Sequence, residues 1–288
     1  MTEDLVVVGK LAIDNLTISG KHFPSVLGGS AAHVSLAAAT VGCRVAIVAA
    51  IGDDFPSSFL SILQSKGIDL SGVIKRAGPS SHFRADFAPD GSMTTYGLRF
   101  GVGNRLSFKH YRRLAEKAEA VHLGILPPRL QRKLLEHVSH GDKLVSMTTI
   151  FHQARQHRDR ILPQLPFLDI LFLNEEEAKI LSKETEVIQA IELLGNTIPM
   201  VIVTQGSKGC LINEEGKVSN VPGFSANEVD QIGAGDSFAG AFLASYLKDG
   251  DAHVAAKWGN AAGALNVSAV GSTRMAGATR NDLLSLMD

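Results

Sequence analysis

The strongest constraint on the fold is an alternation of two patterns along the chain. Short runs rich in β-branched and aliphatic residues stand at Leu5–Val8, Val45–Ile51, Ala120–Leu123, Leu144–Met147, Ile170–Leu173 and Met200–Thr204, and they read as strands buried on both faces. Between them lie segments with helical spacing, at 30–40, 57–66, 108–117, 129–137, 175–181 and 187–194. Parallel neighbours need a crossover connection, and a helix in each crossover covers the sheet, so the order predicts an α/β fold with a mostly parallel sheet flanked by helices. Ala234–Leu247 and Ala252–Val267 follow as two alanine-rich helices. With 288 residues, 45% of them hydrophobic, the chain has enough apolar material for such a core.

Two stretches break the alternation. In His82–Ala88 the residues His82, Arg84 and Asp86 fall on one strand face and Phe83, Ala85 and Phe87 on the other; Pro89-Asp90-Gly91-Ser92 reads as a turn, and Met93–Phe100 as the returning strand. Ile13–Ser19 also alternates, and the three would make a small antiparallel sheet beside the parallel one. This sheet reads either as a lid, with the His82, Arg84 and Asp86 face directed at a substrate, or as an ordinary exposed hairpin.

Charge and cysteine usage narrow the partners. Lys and Arg number 28 against 29 Asp and Glu, a net charge of -1, which offers no electrostatic attraction for nucleic acid or an anionic membrane. Cys43 and Cys210 are too few for a disulfide scaffold or a four-cysteine metal site, and Cys43 reads as a small core residue. The acidic start and the brevity of the first apolar run predict no export signal, and a cytoplasmic protein is expected. His137 and His140 share a helix face but lack a third metal ligand nearby, and the basic run His152–Arg160 reads as an exposed helix or loop.

The segment with the most chemical content is Asp230-Gln-Ile-Gly-Ala-Gly-Asp236, where glycines precede an acid at the start of a long helix. A helix start exposes free N–H groups and the positive end of the macrodipole, and glycines admit a ligand close to the backbone, so the segment suits an anion. A carboxylate beside an anion makes sense if Asp236 takes a proton from a hydroxyl that attacks a phosphate. A first-turn acid that merely favours the helix is the alternative.

A second glycine segment accompanies it: Gly28-Gly29-Ser30-Ala-Ala-His33 opens a small-residue helix, and the chain runs on to Ile51-Gly52-Asp53-Asp54. Together with the segment ending at Asp236, and with Asn174-Glu-Glu-Glu177 and Val203-Thr204-Gln-Gly206-Ser-Lys-Gly209 between them, this resembles the signatures of the ribokinase-like, or PfkB, family of carbohydrate and nucleoside kinases over nearly the whole chain. The resemblance implies a three-layer ribokinase-like fold, with a catalytic core at 1–11, 28–76 and 102–288 and a small β lid at 12–27 and 77–101. It implies an ATP-dependent phosphotransferase that acts on a hydroxyl of a small sugar or polyol, with Asp236 as general base and the Gly233, Ala234 and Gly235 N–H groups as anion hole. A nucleoside kinase, or a non-catalytic binding protein of the same fold, stands as the alternative.

By the same resemblance Asp14, Gly28, Gly29 and His33 would meet the substrate. Asn174, Thr204, Gly206, Gly209 and Asn260 would line the nucleotide, and Glu177 would hold Mg²⁺ through water. Read locally, Asn174 and Glu177 fit a helix N-cap with first-turn acids equally well. Three positions depart from the family pattern: His33 stands where many members carry asparagine, Ser30 where ribokinases carry lysine, and Gln231 where threonine is usual. The last leaves a monovalent-cation requirement open. The lid is also the surface through which a homodimer would form.

Overall fold

The computed structural model describes residues 3–88, 92–138 and 143–287. Thirteen strands are described: β1 Leu5–Val8, β2 Ala12–Ile18, β3 Lys21–Gly28, β4 Val45–Ile51, β5 Asp69–Lys75, β6 Ser81–Phe87, β7 Met93–Arg99, β8 Ala120–Leu123, β9 Leu144–Thr148, β10 Ile170–Asn174, β11 Met200–Thr204, β12 Cys210–Glu214 and β13 Lys217–Val221. The helices are α1 Ser30–Val41, α2 Ser57–Ser65, α3 Phe108–Ala115, α4 Pro128–Val138, α5 Phe151–Ile161, α6 Glu175–Ser182, α7 Val187–Gly195, α8 Ala234–Asp249, α9 Ala252–Val267, α10 Thr273–Gly277 and α11 Arg280–Met287. The expected turn at 89–92 lies largely outside the described residues, as does His140.

Nine strands form the main sheet in the order β13-β12-β11-β10-β9-β8-β1-β4-β5. It is parallel throughout except where β12 and β13 add an antiparallel edge beyond β11. The six apolar runs are its interior. In β1, Leu5 and Val7 join one buried cluster with α1, α8 and α9, whereas Val6 and Val8 join another with Tyr111 of α3 and Leu134 and Leu135 of α4. That period of two, with both faces dry, makes the three layers.

The edge strands β5 and β13 lack an uninterrupted apolar run, and the sequence pattern misses them for that reason; β12, beside β13, carries an apolar run of only three residues, Cys210, Leu211 and Ile212. Each edge strand has a single buried residue, Gly72 in β5 and Val221 in β13.

The second sheet has the order β3-β2-β6-β7. The antiparallel expectation needs correction. β2 pairs with β3 and β6 with β7 in antiparallel fashion, but the central pair β2–β6 is parallel. Between β2 and β6 the chain runs through β3, α1, β4, α2 and β5, a connection long enough to return in the same direction. Leu16, Ala85 and Phe87 form a small core under this sheet, against Ile232 and Val270 of the C-terminal third.

Helices α1 and α8 lie close together because Gly240 has no side chain: a Cβ there would stand 2.1 Å from the carbonyl oxygen of Val34. This contact brings the N-terminus of α8, with Asp236, beside the N-terminus of α1, with Gly29 and His33.

Candidate active site

The polar residues collect at the carboxyl ends of the parallel strands, where an open α/β sheet leaves a crevice. Lys10 follows β1, Thr148 ends β9, Asn174 ends β10 and Thr204 ends β11. Three adjoining cavities occupy this end. The first, about 390 Å³, is lined by Lys10, Asp14, Gly29, His33 and Asp236 and walled by Phe83, Phe87, Met93, Leu98 and Phe100. The second, about 380 Å³, is lined by Thr204, Gly206, Gly209, Phe224, Asn260 and Gly235. The third, about 180 Å³, includes Thr148, Thr149, Glu177 and Asp236. Asn174 and Gln231 border all three.

Asp236 sits in the first turn of α8, whose N-cap residue Gly233 has φ 76°, a left-handed conformation, and whose N-terminus carries no side-chain cap. The Ala234 N–H makes a long bond of 3.3 Å to the Gln231 carbonyl. Burial pushes the half-buried Asp236 carboxyl up to about 7, and the Thr148 hydroxyl, near enough to oppose this without completing a hydrogen bond, offsets it only in part. A carboxyl poised near neutrality suits a general base.

Asp14 is buried, and one of its oxygens, Oδ1, has no hydrogen-bond partner among the described residues. Burial, reinforced by the negative charge of Asp230, pushes it up to about 8. Asp230 itself holds the approach to α8, accepting from the Ile232 N–H at 3.0 Å and the Gly271 N–H at 2.8 Å. Gly28 does not line the first cavity. A Cβ at that position would fall 1.9 Å from Asp14 Oδ2, so Gly28 makes room for the Asp14 carboxyl while Gly29 borders the cavity.

His33 is buried; burial lowers it to about 4 despite a bond from its Nδ1 to Asn266 Oδ1 at 3.1 Å. Ser30 accepts from the Ile125 N–H at 3.1 Å.

Asn174 and Glu177 form a reciprocal capping box on α6. The Glu177 N–H donates to Asn174 Oδ1 at 2.8 Å, the Asn174 N–H to Glu177 Oε2 at 3.1 Å, and the Asn174 side-chain amide to Glu177 Oε1 at 3.0 Å. The cap reading is therefore what the local geometry displays, and the same two residues border the third cavity. Glu177 is pushed up to about 8, chiefly by burial; the Asn174 N–H opposes this and the charge of Asp236 adds to it. Among the described residues no group of three or more His, Cys, Asp or Glu could enclose a metal. Both Glu177 oxygens already accept hydrogen bonds, so the carboxylate fits a divalent cation through the cation's waters rather than by direct ligation.

In the second cavity the Asn260 side chain donates to the carbonyls of Val221 at 3.2 Å and Pro222 at 3.0 Å, tying α9 to the end of β13. Thr204 Oγ1 donates to the Leu173 carbonyl at 3.3 Å. Gln231 is exposed and donates to Glu228.

One expectation about the small sheet is reversed. Phe83 and Phe87, not His82, Arg84 and Asp86, line the first cavity. The polar residues serve elsewhere: His82 pairs with Asp54 at 2.7 Å, and Asp86 accepts from the Thr95 hydroxyl. Pattern identifies the two faces of a strand but not which face meets the larger domain.

Lys10, Thr148 and Asn266 escaped sequence reasoning. Lys10 is buried, donates to Asn104 and lies 4.5 Å from the centre of the Phe100 ring, and burial lowers it to about 7. Lys10 and Thr148 could have been found by asking which polar residues follow each apolar run. Away from the site, His137 packs edge-on against Phe108, and burial pushes the Cys43 thiol up to about 12, away from nucleophilic use.

The crevice at the strand ends thus holds an uncapped, glycine-led helix start with a carboxyl raised to about 7 beside it. The pfkB family carbohydrate kinase model matches residues 2–278, and the chain belongs to that family, whose members transfer a phosphoryl group to a hydroxyl acceptor. A cytidine kinase of Thermococcus kodakarensis is 32% identical over 250 residues, covering 85% of this chain and 89% of the relative. A deoxyribokinase of Salmonella typhi is 27% identical over 272 residues, 88% of this chain and 89% of that protein. An Escherichia coli protein provisionally named ribokinase II, solved with ATP and Mg²⁺, superposes with a TM-score of 0.84 at 20% identity, covering 100% of this chain and 99% of that one, a likeness of fold. No helix among the described residues is long and apolar enough to cross a membrane.

Proposed function

We propose that this chain transfers the γ-phosphoryl group of ATP to a hydroxyl of a nucleoside or sugar held in the first cavity, with the nucleotide in the second. The observation that carries the reading is the position of Asp236, a carboxyl raised toward neutrality where the first and third cavities meet, in the first turn of an uncapped helix. The Asp236 carboxylate accepts the acceptor's hydroxyl proton as that oxygen forms its bond to the γ-phosphorus. The bond from the γ-phosphorus to the bridging oxygen breaks, and ADP leaves with its electron pair. The N–H groups of Gly233, Ala234 and Gly235 stabilise the charge on the transferring oxygens, Ala234 by exchanging its long bond to Gln231 for one to the phosphoryl group. Asn174 and Glu177 would hold the waters of a Mg²⁺ bound to the nucleotide phosphates, and that cation would neutralise phosphate charge. Phe83 and Phe87 exclude water, which otherwise competes with the acceptor hydroxyl.

The apolar wall of Phe83, Phe87, Met93, Leu98 and Phe100 favours a nucleoside over a bare sugar or polyol, because a flat base has apolar faces to bury and a sugar has few. The likeness to a cytidine kinase points the same way.

ADP release measured over cytidine, adenosine, deoxyribose, ribose and inositol tests the acceptor. The Asp236→Asn variant tests the base. It is expected to lose about 10²- to 10⁴-fold in kcat while calorimetric binding of nucleotide persists. Near-normal turnover by that variant would remove the assignment, and inactivity of the wild type on every acceptor would favour a non-catalytic binding protein.

A further inference from the structure

Asn266 lines none of the three cavities, yet its single side-chain amide joins three elements of the site. It is fully buried near the end of α9. Its Nδ2 donates to the Ile232 carbonyl at 2.7 Å, and its Oδ1 accepts from the Ser237 hydroxyl of α8 at 3.1 Å and stands 3.1 Å from His33 Nδ1 of α1.

The orientation of this amide follows from its partners. A carbonyl can only accept, so the Ile232 oxygen must face the amide's NH₂ group, and the amide oxygen is then the atom that faces Ser237 and His33. An oxygen there requires a proton on His33 Nδ1. The ring is buried and neutral, so Nε2 carries a bare lone pair. Nε2 has no hydrogen-bond partner among the described residues, and His33 borders the first cavity. At this position His33 can only accept, whereas the asparagine usual there could donate as well.

The second consequence concerns the anion hole. In a trans peptide the C=O and N–H point in opposite senses. Anchoring the Ile232 carbonyl on Asn266 therefore turns the Gly233 N–H away from α9. His33 packs on the same turn so closely that a Cβ on Gly233 would stand 2.2 Å from Nδ1.

We propose that Asn266 is a positioning residue: one amide fixes His33 as a hydrogen-bond acceptor for the substrate that receives the phosphoryl group, and aims the Gly233 N–H at the group in transfer. This rests on the functional reading above and adds to it the chemistry of what His33 recognises, a hydroxyl or N–H donor on the acceptor.

Imidazole nitrogen NMR of the wild-type protein reads the tautomer directly, with no turnover. We expect a protonated Nδ1 and a bare Nε2 on His33, with Nε2 alone shifting when cytidine is added as the probe; an Nε2–H tautomer overturns the proposal. Asn266→Leu, near in size but without polar atoms, should raise KM for cytidine and lower kcat by about tenfold each, the scale of one lost hydrogen bond, and change KM for ATP much less. In a His33→Asn background the KM effect of Asn266→Leu should largely vanish. A variant that melts earlier but keeps wild-type KM and kcat would show that Asn266 serves packing alone. If Asn266→Leu does not fold, the wild-type tautomer still decides the matter. Absence of nucleoside phosphorylation with an Nδ1–H tautomer would overturn only the functional reading.

Discussion

Replacing Asp14 by asparagine should stabilise the free protein in alkaline solution while impairing the reaction. The carboxyl is buried with Oδ1 unpartnered, and burial together with the charge of Asp230 moves it from 3.8 to about 8. Between those values the folded protein holds a proton that the unfolded chain releases, so stability is fully present below the unfolded value and declines as pH rises toward about 8. At about 1.4 kcal/mol per pH unit this span sets a ceiling of about 6 kcal/mol on the cost of ionising Asp14. Water entry and rotation of the side chain would reduce it, leaving an expected gain for Asp14→Asn of about 2–3 kcal/mol at about pH 9 and less than about 1 kcal/mol at about pH 5. Asparagine matches the shape of the carboxyl and carries no charge next to Asp230. Urea unfolding of both proteins at the two pH values checks the difference, and the other titrating groups largely cancel in the comparison. A variant destabilised equally at both would refute the reasoning, for it would show that Asp14 is ionised at low pH with a partner the geometry does not reveal. The same variant should lose about tenfold in kcat/KM for the acceptor, the scale of one altered hydrogen bond.

Three further outcomes are expected. Because only the carboxylate of Asp236 can take a proton and the group is held up to about 7, kcat should rise about tenfold per pH unit below that value and level off above it, a rise absent from Asp236→Asn. Gly233→Ala places a Cβ 2.2 Å from His33 Nδ1 on a left-handed backbone, and should cost about 1–2 kcal/mol from conformation alone in thermal unfolding, with a larger proportional loss of kcat. Asn174→Ala opens the capping box and should cost about 1 kcal/mol of stability; if the residue also organises cation-bound water, the Mg²⁺ concentration for half-maximal turnover rises, and an unchanged Mg²⁺ titration would confine Asn174 to capping.

The central sheet was legible because its strands are dry on both faces and therefore continuous in sequence, as Val45–Ile51 shows by being buried at every residue. The edge strands were not, since β13 buries only Val221 of its five residues and carries no signal beyond that of a loop. The small sheet was half legible. Alternation separated Phe83 and Phe87 from His82 and Asp86, but which side meets a cavity depends on Ile232 and Val270, residues remote in sequence that pack beneath it.

Within the site, the residues that could be read were those whose chemistry needs a local pattern: glycines before an acid at a helix start, or an asparagine three residues before a glutamate. The residues that could not be read act through distant partners. Lys10 needs Asn104 and Phe100 to be held in a cavity, and Asn266 needs His33, Ile232 and Ser237, drawn from three segments. His33 joins the two kinds. Its place in a glycine-led helix could be read locally, but whether its ring donates or accepts is decided 233 positions away, by the orientation of an amide that itself follows from one carbonyl at Ile232. The tautomer of His33, on which the proposed recognition of the acceptor turns, is therefore set by a distant amide and is contained in no local motif.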